Sequence, residues 1–303
     1  MANMKPIITY FALMLFAAAS CNEQKTETSK MEIATRDELT FTSGYSEVNG
    51  LKMYYEIYLP PGQTDEQAKP IVLIHGGGST IQTTFGKSIP LLAKNRKVIA
   101  VELQAHGRTN DRNADLSFEQ DADDIAILLK NLKIDKADFF GFSNGGTTTL
   151  QIAIRHPEIV GKIILGSALA KRNGVPAWFW DFMKQARLDN MPEQLKTAYR
   201  QVASDTDGLQ IMHDRDAKRM VNFKDIPDAQ LKSITAATLI IIGDKDIITP
   251  EHAIEMHRQI ANAELAIIPG AHGAYIGEIT TIKDDFKDSD IVIPMIEKFL
   301  NKN

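Results

Sequence analysis

Short apolar runs recur along the chain at intervals that suit a layered α/β protein. Six of them are three or four residues long and almost free of polar residues, at positions 71–74, 98–101, 137–140, 163–165, 239–242 and 265–268. A continuous apolar run of this length predicts a strand buried on both faces, and such strands belong to parallel sheets. Upstream, residues 38–59 alternate around Asn49-Gly50, which predicts an antiparallel hairpin.

Helical periodicity fills most of the intervals between these runs. Apolar residues recur with helical spacing over 81–94, 117–132, 145–155 and 250–260. Ser117 followed by Gln120 matches a capping box, and Pro250 suits the first position of a helix. Strands that alternate with helices in this way predict a doubly wound α/β sheet.

One long interval lacks a strand signal. Residues 169–238 contain no convincing buried run, yet they hold Trp178 and Trp180, the two tryptophans of the chain. We interpret this interval as a helical cap that covers a pocket. The cap would be inserted into an α/β core formed by residues 38–168 and 239–303. The alternative is a pair of ordinary crossover helices with a long loop.

Composition and charge narrow the class of protein. The 303 residues are 44% hydrophobic and 24% charged, which is typical of soluble globular domains and excludes disorder, collagen and coiled coil. The net charge is -5 and no basic block is present, so nucleic acid is not expected as a partner. The oligomeric state stays open.

The N-terminal residues carry targeting signals. Lys5, an apolar run over 7–19 and the small residues that follow it predict a signal peptide over residues 1–20. The segment around Ser20-Cys21 resembles the lipobox of bacterial lipoproteins, although Ala18 stands where Leu is usual. The resemblance implies a lipidated Cys21, a polar tether over 21–37, and an exported protein anchored in a bacterial envelope membrane, facing the periplasm or the cell surface. The alternative is an ordinary secretory signal with a chance cysteine.

A candidate nucleophile lies between a predicted strand and a predicted helix. Ser143 is flanked by Gly141 and Gly145, two positions away on either side. Small residues are needed there because the backbone crosses itself closely in a tight strand-to-helix turn. The turn holds the serine hydroxyl clear of the sheet, at the positive end of a helix.

A serine hydroxyl needs a base and an acid, and both follow later strands. Asp246 lies just after the run at 239–242, and His272 lies just after the run at 265–268. The chain order Ser143, Asp246, His272 is one of the known orders of a catalytic triad. Asp244 competes for the acid role, but its position nearer the glycine turn favours a structural role.

A glycine-rich loop offers donors for an oxyanion. The run at 71–74 ends at His75-Gly76-Gly77-Gly78, and the backbone amides of Gly77 and Asn144 are the expected pair of oxyanion donors. A phosphate-binding turn is disfavoured, because neither the spacing of a dinucleotide-binding loop nor the Lys-Ser/Thr of a P-loop is present.

Taken together, these motifs resemble the α/β-hydrolase superfamily from Tyr45 to Leu300. The matching segments are His75-Gly76-Gly77-Gly78, His106-Gly107-Arg108, the turn around Ser143, His156-Pro157-Glu158, Gly243-Asp244-Lys245-Asp246 and Gly270-Ala271-His272-Gly273. The resemblance implies the α/β-hydrolase fold, with an eight-stranded mostly parallel sheet and a helical cap after strand 6. It also implies hydrolysis without a cofactor or metal, with Ser143 as nucleophile, His272 as base and Asp246 as acid.

Three other segments receive structural interpretations. Residues 102–107 depart from the superfamily pattern, and His75 and His106 are expected to fix their loops by hydrogen bonds. Residues 274–289 are expected to form a solvated surface loop, and the charged run from His213 to Asp216 a solvated helix face rather than a metal site.

The function expected from these residues is acyl transfer by a serine hydrolase. The aromatic and methionine content of the cap favours a small, mostly apolar carboxylic ester as substrate. Carbon-carbon, lactone or amide hydrolysis and cofactor-free haloperoxidation would use the same triad, so they stay open. The alternative from another class is a non-catalytic receptor for a small ligand.

Overall fold

The computed structural model describes residues 32–36, 39–62, 69–203, 207–282, 287 and 289–302. The predicted signal peptide over 1–20, Cys21 and Glu38 lie outside the described residues. Within the described residues, no helix is both long enough and apolar enough to cross a membrane.

The described strands form one sheet in the order β1-β2-β3-β5-β4-β6-β7-β8-β9. The strands are β1 (Glu32–Arg36), β2 (Leu39–Val48), β3 (Leu51–Tyr58), β4 (Ile71–Ile74), β5 (Val98–Val101), β6 (Ala137–Phe142), β7 (Val160–Gly166), β8 (Ala237–Gly243) and β9 (Ala263–Ile268). The three pairs β1–β2, β2–β3 and β3–β5 are antiparallel. The remaining pairs, β5–β4, β4–β6, β6–β7, β7–β8 and β8–β9, are parallel. The carboxyl ends of the parallel strands therefore meet along one edge, where ligands bind in open α/β sheets.

The predicted α/β-hydrolase fold is confirmed, since the eight expected strands are β2 to β9. Strand β1 adds one more strand at the edge, and it corrects the expected tether over 21–37, because residues 32–36 pair with β2 from Glu32↔Ser43 to Arg36↔Leu39. A polar segment can add to an open sheet edge because the pairing uses backbone groups rather than an apolar side-chain pattern.

The hairpin between β2 and β3 forms where Asn49-Gly50 predicted it. Both residues have positive φ, 47° for Asn49 and 74° for Gly50, as a two-residue type I′ hairpin turn requires. The turn sets Val48 opposite Leu51.

Helices pack on both faces of the sheet. Those of the core are α1 (Ile81–Phe85), α2 (Ile89–Leu92), α3 (Phe118–Asn131), α4 (Asn144–Arg155), α9 (Pro250–Gln259) and α10 (Ser289–Leu300). Alternate residues of each central strand enter opposite cores: Val72 packs in the cluster with α3 and α4, and Leu73 packs in the cluster with α10. The predicted helix over 81–94 is two short helices.

The capping box predicted at α3 is only half formed. Ser117 Oγ accepts from the Gln120 amide at 3.1 Å, as an N-cap should. The Gln120 side chain, however, donates to Asp124 Oδ1 at 2.9 Å and does not return to Ser117.

Four helices occupy the interval between β7 and β8. They are α5 (Ala177–Lys184), α6 (Glu193–Val202), α7 (Gly208–Val221) and α8 (Asp228–Lys232). Trp180 is buried and stacks under the Arg172 guanidinium at 3.7 Å, whereas Trp178 is 59% exposed.

The expectation of a solvated loop over 274–289 was wrong for its first residues. Tyr275, Ile276 and Glu278 are buried. The reason is local: Tyr275 and Ile276 pack in the apolar cluster with α10. Residues 283–286 and 288 lie outside the described residues.

Candidate active site

The backbone at Ser143 adopts a conformation that non-glycine residues rarely take. Ser143 has φ 54° and ψ -119° between the end of β6 and the start of α4, and strain of this kind concentrates at functional sites. A Cβ on Gly141 would lie 2.0 Å from the Gly145 carbonyl oxygen, and one on Gly145 would lie 2.1 Å from the Ile74 carbonyl oxygen. Both glycines are therefore required by close backbone approach.

His272 and Asp246 meet beyond the carboxyl ends of β8 and β9. His272 Nδ1 lies 2.7 Å from Asp246 Oδ1. The Asp246 side chain is fully buried, whereas 26% of the His272 side chain is exposed. An imidazole whose Nδ1 donates to a carboxylate leaves Nε2 as the nitrogen available for a base role.

Asp246 is held by two further donors that the sequence did not single out. Ser167 Oγ donates to Asp246 Oδ2 at 2.6 Å, and the Ile248 amide donates to Oδ1 at 3.0 Å. Tyr275 Oη lies 2.9 Å from Ser167 Oγ. Ser167 directly follows β7 at the same sheet edge, which is the signal that could have identified it.

These contacts keep Asp246 ionised. Burial alone raises the pKa of a carboxyl group, but the field of His272 and the hydrogen bonds from His272, Ser167 and Ile248 outweigh it. The net effect is a pKa of Asp246 below its usual value.

Asp244, the competing acid, has another partner. Its Oδ1 accepts from the Gly270 amide at 2.7 Å and so ties the turn after β8 to the turn after β9. The structure thus pairs Asp246, rather than Asp244, with His272.

The two candidate oxyanion donors line the same cavity as Ser143 and His272. Asn144 is the first residue of α4, so its amide has no partner within the helix. In the described part of the chain, the Gly77 amide donates to no protein acceptor. The neighbouring Gly78 amide donates to Asp216 Oδ2 at 2.6 Å, which leaves Gly77 as the donor on this loop.

The cavity above Ser143 is lined largely by residues of the interval between β7 and β8. Its volume is about 500 Å³, a size that suits a small organic molecule. The large apolar side chains of its wall are Leu169, Val175, Phe179, Phe182, Met183, Met191, Leu195, Met212, Met220, Ile247 and Ile248. Besides Ser143, Asn144 and His272, the polar residues of the wall are Arg187, Asn190, His213 and Asp216. Apolar residues still form most of the wall, which favours a mostly apolar ligand.

His75 fixes its loop by hydrogen bonds. Its Nδ1 lies 2.7 Å from the Gly76 carbonyl oxygen, and its Nε2 accepts from the Leu103 amide at 3.0 Å. One nitrogen donates and the other accepts, which is the pattern of a neutral ring. Burial, assisted by nearby His106, lowers the pKa of His75 to about 3.

The expectation that the charged run from His213 to Asp216 is solvated was wrong for Asp216. This residue is only 8% exposed and lies in the cavity wall. It is buried because partners satisfy it: Gly78 and His106 contact Oδ2, and Arg219 donates to Oδ1 at 2.5 Å. Among the described residues, no group of three or more His, Cys, Asp or Glu side chains could hold a metal ion.

Comparison with known proteins agrees with this architecture. The sequence profile of the alpha/beta hydrolase fold matches residues 69–215. The human serine hydrolase BPHL is 26% identical over 267 residues, covering 81% of this chain and 86% of that protein. A 2-hydroxymuconate semialdehyde hydrolase from Pseudomonas sp. (strain CF600) is 29% identical over 221 residues, covering 65% of this chain and 78% of that protein.

Solved structures show the same fold. The structure of 2-hydroxy-6-oxo-6-phenylhexa-2,4-dienoate hydrolase from Rhodococcus sp. strain RHA1 superposes with a TM-score of 0.69 at 22% identity. The match covers 90% of this chain and all of that one. With the sheet order and the strand-turn-helix at Ser143, these similarities show that the chain has the α/β-hydrolase fold.

Proposed function

We propose that the protein is a serine hydrolase that cleaves a small, mostly apolar carboxylic ester through an acyl-enzyme. The observation that carries the proposal is the His272 Nδ1–Asp246 Oδ1 pair at 2.7 Å, whose histidine lines one cavity with the backbone-strained Ser143. A buried, ionised acid beside a partly exposed histidine is the arrangement that activates a serine.

The chemistry follows from these positions. His272 Nε2 takes the proton as Ser143 Oγ attacks the ester carbonyl, and Asp246 stabilises the imidazolium that forms. The Gly77 and Asn144 amides stabilise the oxyanion. His272 then protonates the departing alkoxide, so the alcohol leaves and the acyl group stays on Ser143. A water molecule, deprotonated by His272, then attacks the acyl-enzyme. His272 returns that proton to Ser143 Oγ as the carboxylic acid leaves, which regenerates the starting state.

The substrate class rests on the cavity wall. The wall contains apolar side chains such as Leu169, Phe179, Met183 and Leu195. Burial there contributes more binding free energy for an acyl chain than for a sugar or a charged group. A second candidate, favoured by the name of the Pseudomonas relative, is hydrolysis of an unsaturated oxo acid on the same three residues.

Labelling with a fluorophosphonate tests the nucleophile directly. Intact mass should show one adduct on the wild-type protein and none on Ser143→Ala. Ser233→Ala, which changes an exposed serine at the end of α8, is the matched control and should label fully. A folded wild-type protein that takes no label would favour the non-catalytic receptor, and an adduct on Ser143→Ala would assign the nucleophile elsewhere.

A panel of p-nitrophenyl esters then tests the substrate class. Turnover should rise with acyl length until the cavity of about 500 Å³ is filled and then fall. Turnover restricted to charged or sugar esters would contradict the apolar assignment.

We also propose that the protein is exported and anchored to a membrane of the bacterial envelope through Cys21. The proposal is supported by the apolar run over 7–19, the small residues before Cys21 and the polar residues after it. A lipidated cysteine of bacterial lipoproteins carries several acyl chains, which suffices for stable anchoring where a single chain does not.

A further inference from the structure

A carboxylate from the cap reaches the oxyanion loop of the core. Asp216 lies on α7, and its Oδ2 accepts from the Gly78 amide at 2.6 Å. A Cβ placed on Gly77 would lie 3.2 Å from the same oxygen, so Asp216 packs against Gly77 as well as Gly78. The residues concerned are separated by 138 positions in sequence.

The loop needs such a partner because its own residues impose little conformation. Gly76, Gly77 and Gly78 are consecutive, and Gly78 has φ 66°. Glycine populates more backbone conformations than any other residue, so an unpinned run of three would sample many orientations of its amides. The hydrogen bond to Asp216 fixes the peptide plane between Gly77 and Gly78. This restrains Gly77, which lines the cavity and carries the proposed oxyanion donor.

The negative charge of Asp216 is balanced, so it does not oppose a developing oxyanion. Arg219 donates to Asp216 Oδ1 at 2.5 Å and to Asp121 Oδ2 at 2.7 Å. His106 Nδ1 lies 2.8 Å from the Gln104 carbonyl oxygen and donates to it. Its Nε2 lies 2.9 Å from Asp216 Oδ2 and 3.2 Å from the Gly78 amide nitrogen, and the carboxylate favours a proton on Nε2. The Arg219 guanidinium balances the charge of Asp216 in either protonation state of His106.

The directions of the pKa shifts agree with this assignment. Burial lowers the pKa of His106, but the adjoining Asp216 carboxylate raises it by more, so the net shift is upward. Burial raises the pKa of Asp216, but Arg219, His106 and the Gly78 amide lower it well below its usual range.

We infer that Asp216 is a positioning residue that lets the cap hold the oxyanion hole in its working geometry. The inference rests on the proposed function, since it assigns Gly77 an oxyanion to stabilise. Asp216 does not touch the reacting atoms; it acts through the Gly78 amide. Seating of α7 on the core therefore completes the site, and a core without its cap would keep Ser143, Asp246 and His272 but lose the loop geometry.

The experiment compares Asp216→Ala and Asp216→Asn with wild type in the full-length protein. Asn keeps an oxygen that can accept from Gly78, and Ala does not. Arg215→Met is the matched control, because Arg215 joins α7 to the core through Asp111 at 2.5 Å without touching the glycine loop. Hydrogen exchange of the Gly78 amide, followed by NMR, should accelerate strongly in Asp216→Ala, less in Asp216→Asn, and not in Arg215→Met.

Kinetics separate positioning from a merely structural role. With p-nitrophenyl butyrate, Asp216→Ala should lower kcat up to about 100-fold, approaching the loss of one oxyanion donor, while KM changes little. Affinity for an alkyl trifluoromethyl ketone, whose adduct carries an oxyanion, should fall by the same factor. Asp216→Asn should recover part of both.

Each other outcome has a distinct meaning. Unchanged Gly78 exchange in both Asp216 variants overturns the inference, and so does accelerated exchange with unchanged kcat. A raised KM at constant kcat would mean that Asp216 only seats the cap. If the wild-type protein shows no Ser143-dependent turnover, the proposed function fails, and Gly78 exchange still decides whether Asp216 holds the loop.

Discussion

Replacing Asp246 by Asn separates the charge of the acid from its hydrogen bonds. An amide oxygen in the place of Oδ1 can still accept from His272 Nδ1 and from the Ile248 amide. The amide nitrogen in the place of Oδ2 can donate to Ser167 Oγ, whose hydroxyl can then donate to Tyr275 Oη, 2.9 Å away. Every group keeps a partner, so we expect the variant to fold.

We expect Asp246→Asn to lower kcat, and the contacts of Asp246 indicate by how much. Asn in the Ser-His-Asp triad lowers kcat about 10⁴-fold when the amide forces the wrong histidine tautomer. Here the orientation with the oxygen toward His272 keeps the right tautomer, so only the stabilisation of the imidazolium by the charge is lost. We expect a fall of about 10²- to 10³-fold in kcat, which corresponds to roughly 3–4 kcal/mol.

Stability should change in a pH-dependent way. The pKa of Asp246 is lowered in the folded protein, so its ionised form stabilises the fold above the unfolded carboxyl pKa of about 3.9. That contribution is lost as the pH falls through the lower folded pKa. The difference in unfolding free energy between wild type and Asp246→Asn should therefore be largest near neutral pH and shrink in acid.

The assays are ester turnover at pH 8 and urea unfolding at pH 7 and pH 4. Asp244→Asn is the control, because its amide oxygen can still accept from the Gly270 amide and it has no contact with His272. The reasoning is refuted if Asp246→Asn keeps kcat within a factor of about ten, well short of the loss derived from the charge. It is refuted equally if Asp244→Asn is the variant that loses activity.

Three other changes test the nucleophile turn, a buried histidine and the N-terminal signal. Gly141→Ala places a Cβ 2.0 Å from the Gly145 carbonyl oxygen, so urea unfolding should show a loss of about 3 kcal/mol; an unaffected midpoint would contradict this. Because the pKa of His75 is about 3 when folded against 6.5 ordinarily, stability should fall as the pH drops through this interval, and His75→Gln should flatten that slope. Cys21→Ser should move the protein from the membrane to the soluble fraction, and retention in the membrane would count against lipidation.

Most of the fold was predictable because the strands from β4 to β8 are almost entirely buried. Such strands are marked by uninterrupted apolar runs, and each run predicted at 71–74, 98–101 and 239–242 lies within a strand of the parallel sheet. The run at 265–268 was wrongly expected to be buried on both faces, since it lies in β9, a partly exposed strand at the sheet edge. The turn chemistry at Asn49-Gly50 and the small residues around Ser143 act over two or three positions, so sequence alone could locate them.

Contacts between distant segments were not predictable by the same means. Strand β1 is held by backbone pairing to β2, which leaves no apolar signature. Ser167 and Tyr275 meet at 2.9 Å across 108 positions, and only the sheet brings them to Asp246. A side chain whose role depends on such a partner looks like any other serine or tyrosine in the sequence.

The buried charges of α7 show how a polar pattern can mislead. Met212, Asp216, Arg219 and Met220 follow one another at helical spacing and are all buried, so they form a single face. A prediction from hydropathy places the two charged residues in solvent, because burying an ion costs free energy unless partners surround it. Here the partners exist: Arg219 reaches Asp121 across 98 positions, and Asp216 reaches the glycine loop. The local sequence offers one signal of this buried face: Asp216 and Arg219 are three residues apart and lie between two methionines. Asp216 thus brings an acceptor for the Gly78 amide from outside the α/β core, beside His106 Nε2 of the core.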